Sequence, residues 1–431
     1  MPVTLLLLLL VAAGIDPGAI EGTFMMVVVL SPVWLPLYLG QFFWTTWIHY
    51  IRFANWFSIE KVLIEIQLPP EVVKSPAAME LFLGAMWNAG GEPTFIARLW
   101  HGKFRPVWSL EIASTEGQVR FYIHLPAGFK DVLEARLYGQ YPEAQVRVVD
   151  DYVGRIPFNL EEYDLWGLEY DKSEPEALPI RTYVDYALDK NTDTPEIQVD
   201  PITSLVEFFG SIGPGEHLWL QIIMRARKKD EWYGFYLSGD HYKDQAAAGI
   251  KKITEGAIKR AQGLTTDEAE QKKVGSRGAM LLTGGEKEQV EAIERMLTKN
   301  LFECGLRGLY VARKDKFRGI NIPHLVQLFT PYLYPEFGRL GPGPVSRGLA
   351  IFDYPWQDWN GIRASKIKKN LFFFYKHRAY HYVPYDQVPV FLTTEELATI
   401  WHFPSSVVKS PSLERVGARV SEGPSNLPTG L

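Results

Sequence analysis

The sequence predicts an α+β protein that is preceded by a membrane anchor. Three observations support this prediction. The first 49 residues contain two acidic residues and no lysine or arginine, whereas nearly all of the charge lies beyond residue 51. Patterns of alternating strands and helices then occur twice, in residues 59–152 and 178–335. The composition changes again to a basic and aromatic segment at 336–402 and a Pro/Ser/Gly-rich tail at 403–431.

The N-terminal segment, residues 1–52, contains two apolar stretches. Residues 5–13 either cross a bilayer as a short helix or lie at its interface. Residues 24–48 are about 25 uncharged residues, and a spanning helix needs ~20. Aromatic side chains gather near the end of this second stretch, as they do where a membrane meets water. The residues predicted to lie at that interface are Trp44, Trp47, Tyr50 and Arg52.

The first basic residues of the chain set the predicted orientation. Arg52 and Lys61 follow the apolar stretches, and the positive-inside rule places everything after about residue 52 in the cytoplasm. The predicted location is therefore the inner (cytoplasmic) membrane of a bacterial cell, with the soluble part cytoplasmic. Two alternatives remain open, namely a buried hydrophobic hairpin of a soluble protein and a cleaved signal peptide.

Residues 59–152 are predicted to fold as one β-α-β-β-α-β unit. Lys61–Leu68 alternates apolar and polar residues over much of its length, which is typical of a half-buried strand. Ser75 and Pro76 suit the start of a helix, and Glu116-Gly117 suits a hairpin turn. The order is that of the ferredoxin-like fold, which many unrelated functions share. The predicted strands are 61–68, 107–113, 119–125 and 144–149, and the predicted helices are 77–88 and 129–138.

A second ferredoxin-like unit is predicted for residues 178–335, after a linker at 153–177. It differs from the first by an enlarged helical insertion at 227–278. The fold class is thus an N-terminal transmembrane helix or hairpin, two tandem ferredoxin-like domains and an irregular C-terminal segment. The predicted strands are 182–188, 217–226, 279–283 and 308–313, and the predicted helices are 200–210, 243–273 and 286–304.

The segment 336–402 combines basic and aromatic residues. Residues 360–385 contain no acid. This mixture suits single-stranded nucleic acid, through phosphate attraction and base stacking, and it equally suits an anionic membrane surface. A solvated basic helix face above core aromatics is the plainer alternative. The candidate contact residues are Arg363, Lys366, Lys368, Lys369, Lys376, Arg378, Phe374 and Tyr375.

The sequence has no motif that predicts catalysis. Its glycine-rich stretches lack the Lys-Ser/Thr pair that a phosphate-binding loop requires. His377 and His381 have the i, i+4 spacing of metal ligands on a helix, but cationic residues surround them. Cys304 is the only cysteine, which excludes an internal disulfide and a cysteine zinc site. The prediction is a protein that is not an enzyme, with no cofactor and no metal.

Several stretches of the soluble part resemble the region that precedes the motor in membrane-linked type IV secretion (conjugation-type) ATPases. They include VLIEIQLPPEVVKSPAAMELFLGAMW at 62–87, EIASTEGQVRFYIHLP at 111–126 and LTTEELATIWHFP at 392–404. The resemblance covers roughly residues 58–428, and its motifs are not catalytic. In the family, the residues after about 403 lead into the nucleotide-binding domain.

The resemblance implies a membrane-anchored, non-catalytic scaffold or docking component that engages a separate ATPase or another secretion-system protein. Membrane lipid and further copies of the chain are the other expected partners. The alternative function is a membrane-linked nucleic-acid-binding protein that uses residues 363–382. An unrecognised enzyme is a third hypothesis, which no constellation of residues supports.

Overall fold

The structure is a computed structural model, and its elements form two compact units. Unit 1 comprises residues up to Ser58 together with Glu92–Phe104, and unit 2 comprises Ile59–Gly91 and Arg105 onward. The structure describes residue 22 and residues 25–404 except 69–73, 93, 174–175, 191–199, 229–230, 234–235, 239–240, 264–281, 335–336, 344–353, 355, 357 and 383–384.

Unit 1 is built on one long helix. Helix α1 is Ser31–Ser58 and the short helix α3 is Phe95–Leu99. In the described part of the chain, no helix combines the length and the apolarity that crossing a bilayer requires. The predicted transmembrane helix is therefore not supported, because α1 runs on through polar residues such as His49, Arg52 and Asn55. The predicted apolar run at 5–13 lies outside the described residues.

The first half of unit 2 follows the predicted order of elements. Ser75 and Pro76 begin helix α2 as expected, with the proline in the first helical turn. The β2–β3 turn places Glu116 and Gly117 at φ values of 55° and 90°. A Cβ on Gly117 would lie 2.8 Å from the carbonyl oxygen of Ile212, so glycine is required there. The elements are β1 Lys61–Gln67, α2 Pro76–Met86, β2 Val107–Thr115, β3 Gln118–Pro126, α4 Lys130–Gln140 and β4 Gln145–Val149.

The second half of unit 2 departs from the prediction in several places. The predicted linker contains strand β5, and the predicted strand 182–188 forms turns instead, because the Asp185 carboxylate accepts from both the backbone N–H and the hydroxyl of Thr182. The predicted strand 279–283 lies mostly outside the described residues. The elements are β5 Tyr163–Lys172, α5 Ile202–Gly210, β6 Glu216–Ala226, β7 Glu231–Tyr233, β8 Tyr236–Ser238, α6 His241–Gly263, α7 Gly284–Leu297, β9 Leu301–Arg313, α8 Asn321–Val326 and β10 Leu340–Pro342.

The predicted helix 286–304 is too long, since α7 ends at Leu297 and β9 begins at Leu301. The last residues of the apolar pattern belong to a strand rather than to the helix. Phe302 and Cys304 are buried in β9. The two elements are separated by Thr298, Lys299 and Asn300.

The two halves of unit 2 share one antiparallel sheet. Its strand order is β10-β5-β9-β6-β2-β3-β1-β4, and a further strand, β13 (Val390–Thr393), pairs with β9. The halves meet where β2 pairs with β6 along their full length, from Val107 opposite Arg225 to Thr115 opposite His217. The sequence predicts two tandem domains, and the structure shows both sets of strands hydrogen-bonded into a continuous sheet.

The C-terminal segment belongs to the core of unit 2. Helix α10 is buried along its whole length, and α9 packs its side chains Leu371, Phe372 and Tyr375 against the opposite face of the sheet. Phe403 is also buried, whereas tail residues 405–431 lie outside the described residues. The elements are α9 Ile362–Lys376, β11 His381–Tyr382, β12 Tyr385–Asp386, β13 Val390–Thr393 and α10 Thr394–Ile400.

Helix α10 begins as the sequence predicts. The Thr393 side chain accepts from the backbone N–H of Glu396, and the Glu396 side chain accepts from the backbone N–H of Thr393. The predicted apolar face, Leu397, Ile400 and Trp401, is fully buried. The Glu396 carboxylate also pairs with Lys172 at 2.7 Å, so the cap is tied to β5.

Candidate functional site

The most extensive exposed apolar surface that the structure describes is on unit 1. Large apolar side chains are exposed on all sides of the N-terminal two-thirds of α1. Phe42 and Phe43 are each more than 60% exposed. Soluble monomers rarely expose contiguous apolar patches above a few hundred Å², so such a surface indicates contact with lipid or a partner. The exposed side chains before Thr45 are Met25, Met26, Val27, Val28, Val29, Leu30, Val33, Trp34, Leu35, Leu37, Tyr38, Leu39, Phe42, Phe43 and Trp44.

The four predicted interface residues occupy the next part of α1. Trp44 and Tyr50 are exposed, whereas Trp47 and Arg52 are half-buried. The indole N–H of Trp47 donates to the carbonyl of Leu99 at 3.2 Å. Trp47 therefore attaches the short helix α3 to α1.

The basic residues predicted in the C-terminal segment separate into two groups. Arg363, Lys366, Lys369 and Lys376 are exposed on α9. Their spacing places them on one side of the helix, and Phe373 is exposed with them. We call these five residues the α9 basic face. They retain the combination of cations and an aromatic ring that the sequence predicts.

The other predicted contact residues are engaged inside unit 2. The ammonium group of Lys368 pairs with Asp164 at 2.5 Å. Phe374 is half-buried and stacks on Tyr385, with ring centroids 4.2 Å apart. Tyr375 and Arg378 are buried, so their side chains form part of the core rather than the surface.

Beneath α9 a row of buried polar side chains crosses four adjacent strands. Glu111 on β2 lies opposite Gln221 on β6. Gln221 lies opposite Arg307 on β9, and Arg307 lies opposite Glu169 on β5. Sequence reasoning missed this row, because its four members lie on four different strands and the sequence does not record which strands pair.

Arg378 neutralises one end of this row. Its guanidinium donates to both carboxylate oxygens of Glu111, at 3.0 and 3.1 Å, and also to Asp151. Glu111 further accepts from Ser109 at 2.7 Å and Tyr152 at 2.9 Å. Burial alone lowers the pKa of Arg378, but the carboxylates of Glu111 and Asp151 outweigh it and raise that pKa well above its ordinary value.

Arg307 neutralises the other end. It donates to Glu169 at 2.9 and 3.1 Å and to the carbonyl of Ala379 at 3.0 Å. The hydroxyl of Tyr385 donates to the second oxygen of Glu169 at 2.8 Å. Tyr380 lies on Gly305, where an added Cβ would be 2.4 Å from the tyrosine ring. Residues 371–382 and Tyr385 thus cover the polar row, and its ion pairs act as structural contacts.

His377 and His381 are the two residues whose spacing in the sequence resembles that of metal ligands. His381 is buried, and burial followed by the charge of Arg225 lowers its pKa well below the ordinary value. His377 is half-buried near the end of α9. In the described ranges, no three His, Cys, Asp or Glu side chains are placed to hold a metal ion.

A cleft near the start of β6 is lined by two carboxylates, those of Glu216 and Asp315, and Glu216 is the more buried of the two. Burial raises the pKa of Glu216, but its hydrogen bonds to Arg318, Tyr310 and the backbone of Gly213 outweigh burial and lower it. The distances are 2.6 Å to Arg318 and 2.8 Å to Gly213. The group is held as an ion by several donors, which is the arrangement of a structural contact rather than of a general base.

No family model matches this chain, and no curated protein is similar enough in sequence to match it.

Proposed function

We propose that this protein is a membrane-associated, non-catalytic scaffold that docks a separate ATPase of the type IV secretion kind. The observation that carries the proposal is the exposed apolar surface of α1, which is followed by an aromatic cluster and then by Arg52. This order is typical of a segment that leaves the apolar interior of a bilayer and reaches the water interface. The resemblance of residues 58–428 to the pre-motor region supplies the choice of partner.

We further interpret unit 2 as two fused ferredoxin-like sets of strands. In the order β4-β1-β3-β2, the first set has the arrangement of that fold, and β10-β5-β9-β6 repeats it with β5, β6, β9 and β10 as its successive strands. Joining β2 to β6 removes one edge from each set. Strand β4 remains the last strand at one end of the sheet, and its Val148 is exposed. Such an edge suits pairing with a partner strand or with another copy of the chain.

The test is reconstitution of the full chain on lipid vesicles with the ATPase domain of a type IV secretion motor from the same source. We expect the vesicles to retain the chain and to recruit the ATPase domain. Val148→Lys places a charge at the sheet edge and is expected to weaken recruitment without releasing the chain from lipid. Arg147→Lys, which keeps charge at the adjacent exposed position, is the matched control.

Two results would contradict the proposal. One is ATP hydrolysis by the purified chain that a substitution within the chain abolishes. The other is a chain that remains in the aqueous phase with vesicles of every lipid composition. Recruitment that Val148→Lys leaves unchanged would instead reject β4 as the docking edge and leave the membrane attachment standing.

The second candidate function is binding of single-stranded nucleic acid through the α9 basic face. The observation that favours it is the exposure of Lys366, Lys369 and Lys376 beside Phe373, since cations and aromatic rings are what such sites use. Replacement of these three lysines by alanine is expected to abolish a salt-sensitive gel shift.

The matched control for this test is the triple alanine variant of Lys251, Lys252 and Lys259. These lysines are exposed on α6, so the control makes the same change in net charge at another helix. Binding that is equally weak in both triple variants would assign the effect to net charge alone. Binding that neither triple variant changes would reject the candidate function.

A further inference from the structure

The connection between α2 and β2 contains a segment that belongs to unit 1. It spans residues 87–106, which is longer than most connections of this kind. Its residues 92–104 group with α1 rather than with the sheet. We call residues 94–104 the docked loop. Long loops inside compact folds are commonly functional.

The docked loop is fixed along the C-terminal part of α1 at several points. The ring of Trp100 lies 5.6 Å from that of Trp47, and the Asn55 side chain donates to the carbonyl of Gly102 at 3.2 Å. Gly102 has φ +61°, and a Cβ there would lie 2.4 Å from the carbonyl oxygen of Ile51. Only glycine permits so close an approach of the two backbones.

These contacts put the loop in register with the helix. Passing from Trp100 through Gly102 to Phe104, the loop meets Trp47, then Ile51, and then Trp56 at a ring distance of 5.6 Å. The two segments therefore run in the same direction. A residue early in the loop lies toward the apolar end of α1, and a residue late in the loop lies toward its polar end.

The same order of chemistry appears on both segments. The loop first presents Phe95, Ile96 and Trp100, which are 59%, 61% and 62% exposed, and the half-buried Arg98 lies between Ile96 and Trp100. It then presents His101 and Lys103, which are exposed polar residues. On α1 the uncharged apolar stretch ends at the same level, because Arg52 is its first basic residue and adjoins Gly102.

The charge of this region favours an anionic surface. Among the described residues of unit 1, the cationic side chains are Arg52, Arg98 and Lys103, and the single acidic one is Glu92. Exposed apolar and aromatic side chains beside cations are the composition of segments that lie in a bilayer interface. A protein partner of α1 would not require the exposed side chains of two separate segments to change from apolar to polar at the same level.

We propose that the docked loop is an interfacial lipid-binding element. Phe95, Ile96 and Trp100 insert among the acyl chains of a bilayer, and Arg98 and Lys103 contact the phosphates of anionic lipids. The proposal rests on the membrane association proposed above and adds the second contact and its lipid preference. With α1, the loop forms a two-point attachment, which fixes the rotation of unit 1 about the helix axis.

The experiment uses fluorescent labels on single cysteines of the full chain. Cys304 is fully buried, so a bimane reagent will label an introduced cysteine selectively. The positions are Ile96→Cys in the loop, Phe42→Cys on α1 and Val388→Cys, which is 85% exposed in unit 2. Vesicles contain phosphatidylcholine with or without phosphatidylglycerol, together with lipids that carry a quencher in the acyl chain.

We expect the labels at 42 and 96 to shift to the blue and to be quenched several-fold more than the label at 388. Arg98→Gln and Lys103→Gln should each lower the partition coefficient on anionic vesicles roughly fivefold and leave it unchanged on neutral vesicles. The variant F95S/I96S/W100S, which keeps both cations but removes the inserted side chains, should have a lower partition coefficient on both kinds of vesicle while the label at 42 stays quenched.

The outcomes separate the two proposals. A quenched label at 42 with a water-like label at 96 overturns the lipid role of the loop and leaves the membrane association standing. Water-like labels at both positions overturn both proposals. A label at 96 that responds to added ATPase domain but not to vesicles assigns the loop to a protein partner and also overturns its lipid role.

Discussion

Replacing Arg378 by alanine should be among the most destabilising single substitutions in unit 2. The guanidinium is 2% exposed and donates to Glu111, which is fully buried, and to Asp151. Removing one partner of a buried ion pair typically costs about 3–5 kcal/mol, because the other charge is left without compensation. Since small domains are stable by about 5–15 kcal/mol, the loss would be a large fraction of the total.

The contacts that remain on Glu111 refine this magnitude. After the substitution, Glu111 still accepts from Ser109, Tyr152 and Gln221, at 2.7, 2.9 and 3.0 Å. These donors stabilise the ion in part, so we expect a loss of about 3 kcal/mol, near the lower end of the usual range. Adding Glu111→Gln removes the uncompensated charge and should recover at least ~1 kcal/mol.

The assay is urea unfolding of the full chain in detergent micelles, followed by tryptophan fluorescence. Lys376→Ala is the matched control, because Lys376 is exposed two residues away and its removal should change the free energy of unfolding by less than ~0.5 kcal/mol. A free energy of unfolding for Arg378→Ala that matches the control would refute the reasoning. So would a double variant that is no more stable than Arg378→Ala alone.

Two further predictions concern the same face of the sheet. Gly305→Ala should destabilise by about 2–4 kcal/mol because its Cβ would meet the Tyr380 ring. The same substitution should cost clearly less in a Tyr380→Ala background, where the ring is absent. Equal urea midpoints for wild type and Gly305→Ala would contradict this. Burial and then the charge of Arg378 lower the pKa of Lys61 to about 8. The unfolded state therefore binds more protons above pH 8, and stability rises from about pH 8 to 10.5. Lys61→Met should lack that rise, and it should be more stable than the wild type at pH 7 because no charged ammonium group is buried. We expect a gain of only roughly 1–2 kcal/mol, since the partial exposure of Lys61 lets solvent screen its charge. Parallel pH profiles of the two proteins would reject this prediction.

Local features of the fold could be predicted from the sequence because they depend on neighbouring residues. The β2–β3 hairpin follows from the turn at Glu116-Gly117, whose positive φ values only a few residue types adopt readily. The start of α10 follows from Thr393 and Glu396, which cap the helix reciprocally. In both cases the determining residues lie within four positions of each other.

Features that depend on distant pairing could not be predicted in this way. The β2–β6 pairing joins residues that are about 110 positions apart, and no local pattern records it. The sequence predicts a linker in place of strand β5, because the acidic residues of this segment obscure its apolar alternation. One of them, Glu169, is buried and paired with Arg307 in the folded protein.

The candidate site also contains features that depend on distant contacts and therefore could not be predicted from local sequence. A basic residue in a polar stretch normally indicates a surface, which holds for Lys366 and Lys369 but not for Arg378. The docked loop could not be predicted because Phe95, Ile96 and Trp100 form no recognisable sequence motif. Their meaning depends on the contact between Gly102 and Ile51.

Because the two halves of unit 2 share one sheet, the first half cannot complete its strand pairing during synthesis until the second half emerges. Residues 59–149 supply β1 to β4, but β2 is an unpaired edge until β6 emerges roughly 70 residues later. At about 5–20 residues per second, that edge waits for several seconds. Strand β2 is buried along nearly all of its length in the finished protein, so during this interval an apolar edge is open to other nascent chains. A ribosome pause between residues 150 and 216 would lengthen that interval and favour aggregation.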